Sequence, residues 1–100
     1  LTVFVRHEPW KGHGTRMSSH VRDVLKAGAV DLFVFGHEHR YERTGREIIA
    51  GNGGAGLEPG AWYGYVIVRV KPGGFVDVTA HDARTGTVRD TLSFKIGDRP

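Results

Sequence analysis

The chain has 100 residues, 39% hydrophobic and 25% charged, with 14 Lys+Arg against 11 Asp+Glu for a formal charge of +3. This composition argues against a disordered or fibrous chain, and the length allows one domain at most, with a thin stability margin. The absence of Cys excludes disulfides and thiolate metal sites, leaving His, Asp and Glu as the strong ligands.

Thr2–Arg6 is a β-branched and aromatic run ending at His7-Glu8-Pro9, where Pro9 disfavours continued regular structure; it predicts a buried strand followed by a loop. Ser18 or Ser19 offers an N-cap for a helix with Val21, Val24 and Leu25 on one face, and Gly28 is its expected stop. Leu32–Phe35 is an unbroken apolar run ended by Gly36-His37-Glu38-His39, the pattern of a second buried strand. Strand, helix and strand in this order imply a right-handed crossover with the two strands parallel. Beyond the charged stretch Arg40–Arg46, a short strand is expected at Glu47–Ala50, then the glycine-rich loop Gly51–Gly56. Tyr63–Val70, Phe75–His81 and Val88–Ile96 alternate apolar and polar residues across Pro72-Gly73-Gly74 and Thr85-Gly86, which predicts an antiparallel meander. In its last strand Val88, Leu92, Phe94 and Ile96 should share one face. No apolar stretch is long enough to span a bilayer, so no membrane partner is expected. The chain opens inside an apolar run with no initiator Met, so residues are expected to be missing upstream and localisation is left open.

Both predicted parallel strands run directly into histidine, His7 on one and the His37/His39 pair on the other, and ligands bind at that edge of open α/β sheets. In an extended segment residues two apart face the same side, so His37 and His39 can address one cavity. Gly36 would let the backbone turn sharply. Imidazole suits transition metals rather than Ca or Mg. A single histidine beside a strand is more often a hydrogen-bonded turn residue, and it is the three together that favour a metal site.

These residues resemble a known family. Val5-Arg6-His7-Glu8-Pro9-Trp10 is similar to the His-X-Pro stretch of calcineurin-like metallophosphoesterases, and Gly36-His37-Glu38-His39 to their Gly-His-X-His motif. The run Gly36–Arg43 is closest to the purple acid phosphatase branch. The resemblance implies an α+β or α/β fold: part of a four-layer α/β/β/α sandwich to which residues 1–100 contribute one βαβ unit and an antiparallel β meander, as the C-terminal portion of a single domain whose N-terminal half is absent. It also implies two divalent or trivalent transition metal ions (Zn, Fe or Mn) in the complete domain, with His7 and His37 on one and His39 on the other. The activity would be hydrolysis of a phosphate-ester substrate by metal-activated hydroxide.

The family's Asp-X-His, Gly-Asp and Asn-His-Glu/Asp motifs are missing: Asp stands at positions 23, 31, 77, 82, 90 and 98, none in such a context. The chain alone is therefore expected to be inactive. His13 is the preferred general acid, in a glycine-flanked loop, with a solvated loop histidine as the plain alternative; His20 and His81 are read as structural or without a role. Arg40 and Asn52 are candidate substrate-binding residues, although ion pairing for Arg40 and a connector role for the Asn52 loop are the plainer readings. Trp10, Trp62 and Tyr63 are read as packing residues. Two other functions compete: a non-catalytic metal- or phosphate-binding relic, and a nucleic-acid-binding module, disfavoured because no Lys/Arg run interleaves with aromatics.

Overall fold

A computed structural model describes residues 1–10, 23–25, 27, 28 and 30–98. Among the described residues seven strands form two sheets: β1 (Val3–Arg6), β2 (Leu32–Phe35), β3 (Tyr41–Thr44), β4 (Glu47–Ala50), β5 (Gly64–Lys71), β6 (Phe75–Asp82) and β7 (Val88–Lys95). The first sheet has the order β1-β2-β4-β3 and the second β5-β6-β7. β1, β2 and β4 are mutually parallel, and β3 closes antiparallel on β4.

The β2 run is apolar throughout because both its faces are covered. Leu32 turns to the second sheet and is sealed with Ile48, Val76, Val78 and Phe94, while Phe33 and Phe35 turn the other way and pack with Trp10 and Ile49. Burying each such side chain contributes about 1.5–3 kcal/mol. Trp10 is a core residue, stacked on Phe4 at 5.5 Å, with the Arg6 guanidinium 5.1 Å from its ring.

The expected α/β/β/α sandwich is not the observed architecture. Among the described residues 48% lie in strands and 5% in helix, with no helix of seven residues or more. The helical layers were implied by family resemblance, whereas this chain carries a single helical pattern; one core cluster lies between the two sheets and a second, largely aromatic, lies on the opposite face of the first sheet. Of the predicted helix, residues 18–22 lie outside the described residues. Leu25 packs against the aromatic cluster, and the Gly28 N–H donates to the carbonyls of Val24 and Leu25. No described helix is long and apolar enough to cross a membrane.

Two local differences have clear causes. The charged stretch conceals β3, whose Tyr41 and Arg43 face inward between the sheets and whose hairpin to β4 turns at Gly45, φ 58°. Val88 does not share the inner face of β7, because a bulge between Ala80 and His81 shifts the register and pairs Val88 with His81.

Polar groups join the sheets at their β3/β7 edge. Asp90 accepts hydrogen bonds from Tyr41 Oη and Arg43 Nε, both at 2.7 Å. The Arg43 bond, aided by Tyr41, holds the Asp90 carboxyl below the usual carboxylate range, while burial and the neighbouring Asp90 push the Tyr41 hydroxyl up. A carboxyl depressed in the folded state contributes stability that is present above its unfolded pKa and lost as pH falls through its folded value. Urea midpoints taken from pH 6 down to pH 2 should therefore fall below about pH 4. Asp90→Asn should lower the pH 6 stability by about 1 kcal/mol and flatten part of the acid slope.

Candidate metal centre

Parallel pairing of β1 with β2 sets Arg6 beside Phe35, and the ladder continues one step further as the Gly36 N–H donates to the His7 carbonyl at 2.8 Å. His7 and the start of Gly36-His37-Glu38-His39 are thereby held side by side. The motif itself is not extended. The Glu38 N–H donates to the Gly36 carbonyl and the Arg40 N–H to the Glu38 carbonyl, at 2.8 and 2.9 Å, so His37 and His39 each stand at the centre of a three-residue turn. His37 has φ 68°, in the left-handed region and unique among the described non-glycine residues. A three-residue turn with positive φ is the rare, strained form. The sharp turn expected of Gly36 thus falls on the histidine beside it.

The strand that follows supports this loop. Gly51, just past β4, donates its N–H to the Arg40 carbonyl, and a Cβ placed on Gly51 would lie 1.8 Å from the Glu38 carbonyl oxygen. Only glycine permits that approach. The Glu58 N–H donates to the His39 carbonyl, and the Arg40 guanidinium is bonded to Glu38, Glu42 and Glu58. Arg40 is thus paired with three carboxylates that hold the loop, the plainer of its two expected roles.

His7 Nε2 and His37 Nδ1 lie 3.2 Å apart, with the rings nearly perpendicular at 87°. His39 Nδ1 donates to the Gly56 carbonyl at 2.7 Å, which places its proton on Nδ1 and leaves Nε2 with a lone pair. All three imidazoles line one open cleft of about 500 Å³, walled by Gly51, Gly53 and Ala55.

The donor set can be tested against a metal. With metal–nitrogen bonds of about 2.0–2.1 Å, two imidazole nitrogens on one ion lie roughly 3.3–3.4 Å apart at tetrahedral angles and about 2.9 Å apart at right angles. The His7–His37 separation falls between these values, so the pair fits as two ligands of one ion. The orientation of His39 by a carbonyl on its far nitrogen is the usual outer-shell arrangement of a ligating imidazole. Among the described residues no group of three or more His, Asp or Glu is gathered to hold a metal, so the fit extends to the pair and no further.

The other candidates lie elsewhere. His13 and His20 lie outside the described residues. Asn52 is 1% exposed, and its amide donates to the Trp62 carbonyl at 2.8 Å, which anchors the start of the glycine-rich loop. His81 sits on the second sheet, stacked on Tyr65 and bonded to Thr79. Sequence reasoning missed the parts played by Gly51 and the Gly56 carbonyl; a glycine placed directly after a strand was the one signal for the first. No family model, curated protein or solved structure matches this chain.

Proposed function

We propose that this chain supplies the histidine side of a metal-dependent phosphoesterase centre of the calcineurin-like kind. The observation that carries the reading is the 3.2 Å approach of His7 Nε2 and His37 Nδ1 at the ends of two parallel strands. His7 and His37 would hold one ion through these nitrogens, and His39 would offer Nε2 toward a second. Bound metal would supply Lewis-acid polarisation of a phosphoryl oxygen and a lowered pKa for water. The chain's own share is to orient the three imidazoles and to leave one wall of the cleft free of bulky side chains, so that a phosphate group can approach them.

Carboxylate donors would come from protein packed along β1. Val3 and Val5 pair with Leu32 and Val34, whose side chains belong to the inter-sheet core, yet the two valines are 39% and 72% exposed. Valines so placed fit a β1 edge that receives further structure.

The test is metal uptake by the folded chain, followed by competition with a chromophoric chelator, together with binding of inorganic phosphate. One zinc or manganese ion per chain is expected, with affinity falling by roughly a hundredfold in His7→Ala. The loaded chain should bind phosphate, the chelated chain should not, and neither should turn over a phosphomonoester. A folded chain that takes up no transition metal, or takes it up equally well without His7, overturns the reading.

A further inference from the structure

The outer face of the meander carries a pattern that strand pairing creates and the linear sequence hides. Phe75 on β6 pairs with Lys71 on β5 and Lys95 on β7, giving a Lys-Phe-Lys row across the sheet. The next outward row is Arg69, Asp77 and Ser93, followed by Ile67, Thr79 and Thr91, and then Tyr65, His81 and Val88. Phe75 is 50% exposed, with the Lys95 ammonium 5.9 Å from its ring centroid. Tyr65, also exposed, lies parallel to His81 with centroids 5.1 Å apart. About 20 Å of β6 separates the two aromatic ends.

Charge on this face is one-sided. Arg69, Lys71 and Lys95 stand against a single described carboxylate, Asp77, which is bonded by Lys71 Nζ at 2.9 Å and Ser93 Oγ at 2.8 Å. Those two bonds keep Asp77 below the usual carboxylate range and tie up Lys71, leaving Arg69 and Lys95 as the cations available to a ligand.

We propose that this outer face is a platform for single-stranded nucleic acid, with Phe75 and Tyr65 stacking on bases and Arg69 and Lys95 meeting backbone phosphates. Exposed rings at opposite ends of two paired strands, Tyr65 on β5 and Phe75 on β6, with cations between them, suit a flexible polyanion whose bases are free to stack. Paired bases in a duplex present no such faces, and a protein partner would call for a contiguous apolar patch, whereas Phe75 stands between Lys71 and Lys95 and the polar row Arg69, Asp77 and Ser93 separates it from Ile67 and Tyr65. The inference is independent of the metal centre, which lies at the ends of β1 and β2 in the other sheet.

The experiment is fluorescence anisotropy of a labelled oligothymidylate of about twelve nucleotides, titrated with the full chain in chelator so that bound metal contributes nothing. A dissociation constant on the order of 10 µM at about 50 mM salt is expected. With two phosphates neutralised, affinity should fall about sevenfold when salt rises fourfold. Phe75→Ala should weaken binding on the order of tenfold, and Arg69→Glu with Lys95→Glu should abolish it. Thermal melts would confirm that both variants fold, as expected for exposed positions. No saturable binding, binding that survives both replacements in folded protein, or binding of anionic lipid vesicles in place of the oligonucleotide would each overturn the proposal.

Discussion

Gly51→Ala should destabilise the chain by about 2–4 kcal/mol, a large effect for adding one methyl group. The added carbon would lie 1.8 Å from the Glu38 carbonyl oxygen and 2.8 Å from its carbon, and both obstacles are backbone. Neither can rotate away as a side-chain tip would. Relief requires the Glu38 peptide to move, and that peptide joins the turns centred on His37 and His39. The variant should therefore lose metal affinity along with stability. Gly53→Ala is the control: it lies in the same loop and lines the same cleft, but a Cβ there meets nothing within 4 Å. Its stability should stay within about 0.5 kcal/mol of the parent. Urea midpoints of the three proteins, with zinc competition on each, check the expectation. Equal stability of Gly51→Ala and Gly53→Ala would show that the Glu38 peptide is not packed against the end of β4.

What could be read ahead of the structure follows from which interactions are local. β2 was legible because four consecutive apolar residues need cover on both faces, and Leu32 and Phe33 do face opposite clusters. The parallel pairing of β1 with β2, and the meeting of His7 with His37 across thirty residues, followed from strand order and handedness. β3 was illegible because its inward residues are Tyr41 and Arg43, whose polar ends are satisfied by Asp90, 47 or more residues away. A strand that buries polar groups against a distant carboxylate has no apolar alternation to detect. The partners of Arg40 and Asn52 were illegible for the same reason: Glu58 and the Trp62 carbonyl, which engage them, become neighbours only once the loop after β4 has folded back. The Lys71-Phe75-Lys95 row is likewise a product of register, which is why a search for cations interleaved with aromatics along the chain finds nothing.

Strain at His37 carries the last prediction. Holding a non-glycine residue in the left-handed region costs on the order of 1–3 kcal/mol, and such costs concentrate where function depends on the geometry. Two replacements separate backbone from side chain. His37→Ala and His37→Gly both remove the imidazole, with its contact to His7, so both should lower zinc affinity by roughly a hundredfold or more. They differ in what the backbone asks of residue 37. Alanine keeps the steric cost of φ 68°, whereas glycine adopts that value freely and gives back only about 0.5–1 kcal/mol through its more flexible unfolded chain. The glycine variant should be the more stable by about 1 kcal/mol, a difference of roughly 4–8 °C in melting temperature for a domain of this size. A glycine variant that melts with or below the alanine variant would mean that the turn at His37 stores no strain. A glycine variant that still binds zinc like the parent would remove His37 from the metal centre. The expected pairing of higher stability with lost affinity is the mark of a residue placed for its side chain, at a backbone position that glycine would occupy at lower cost.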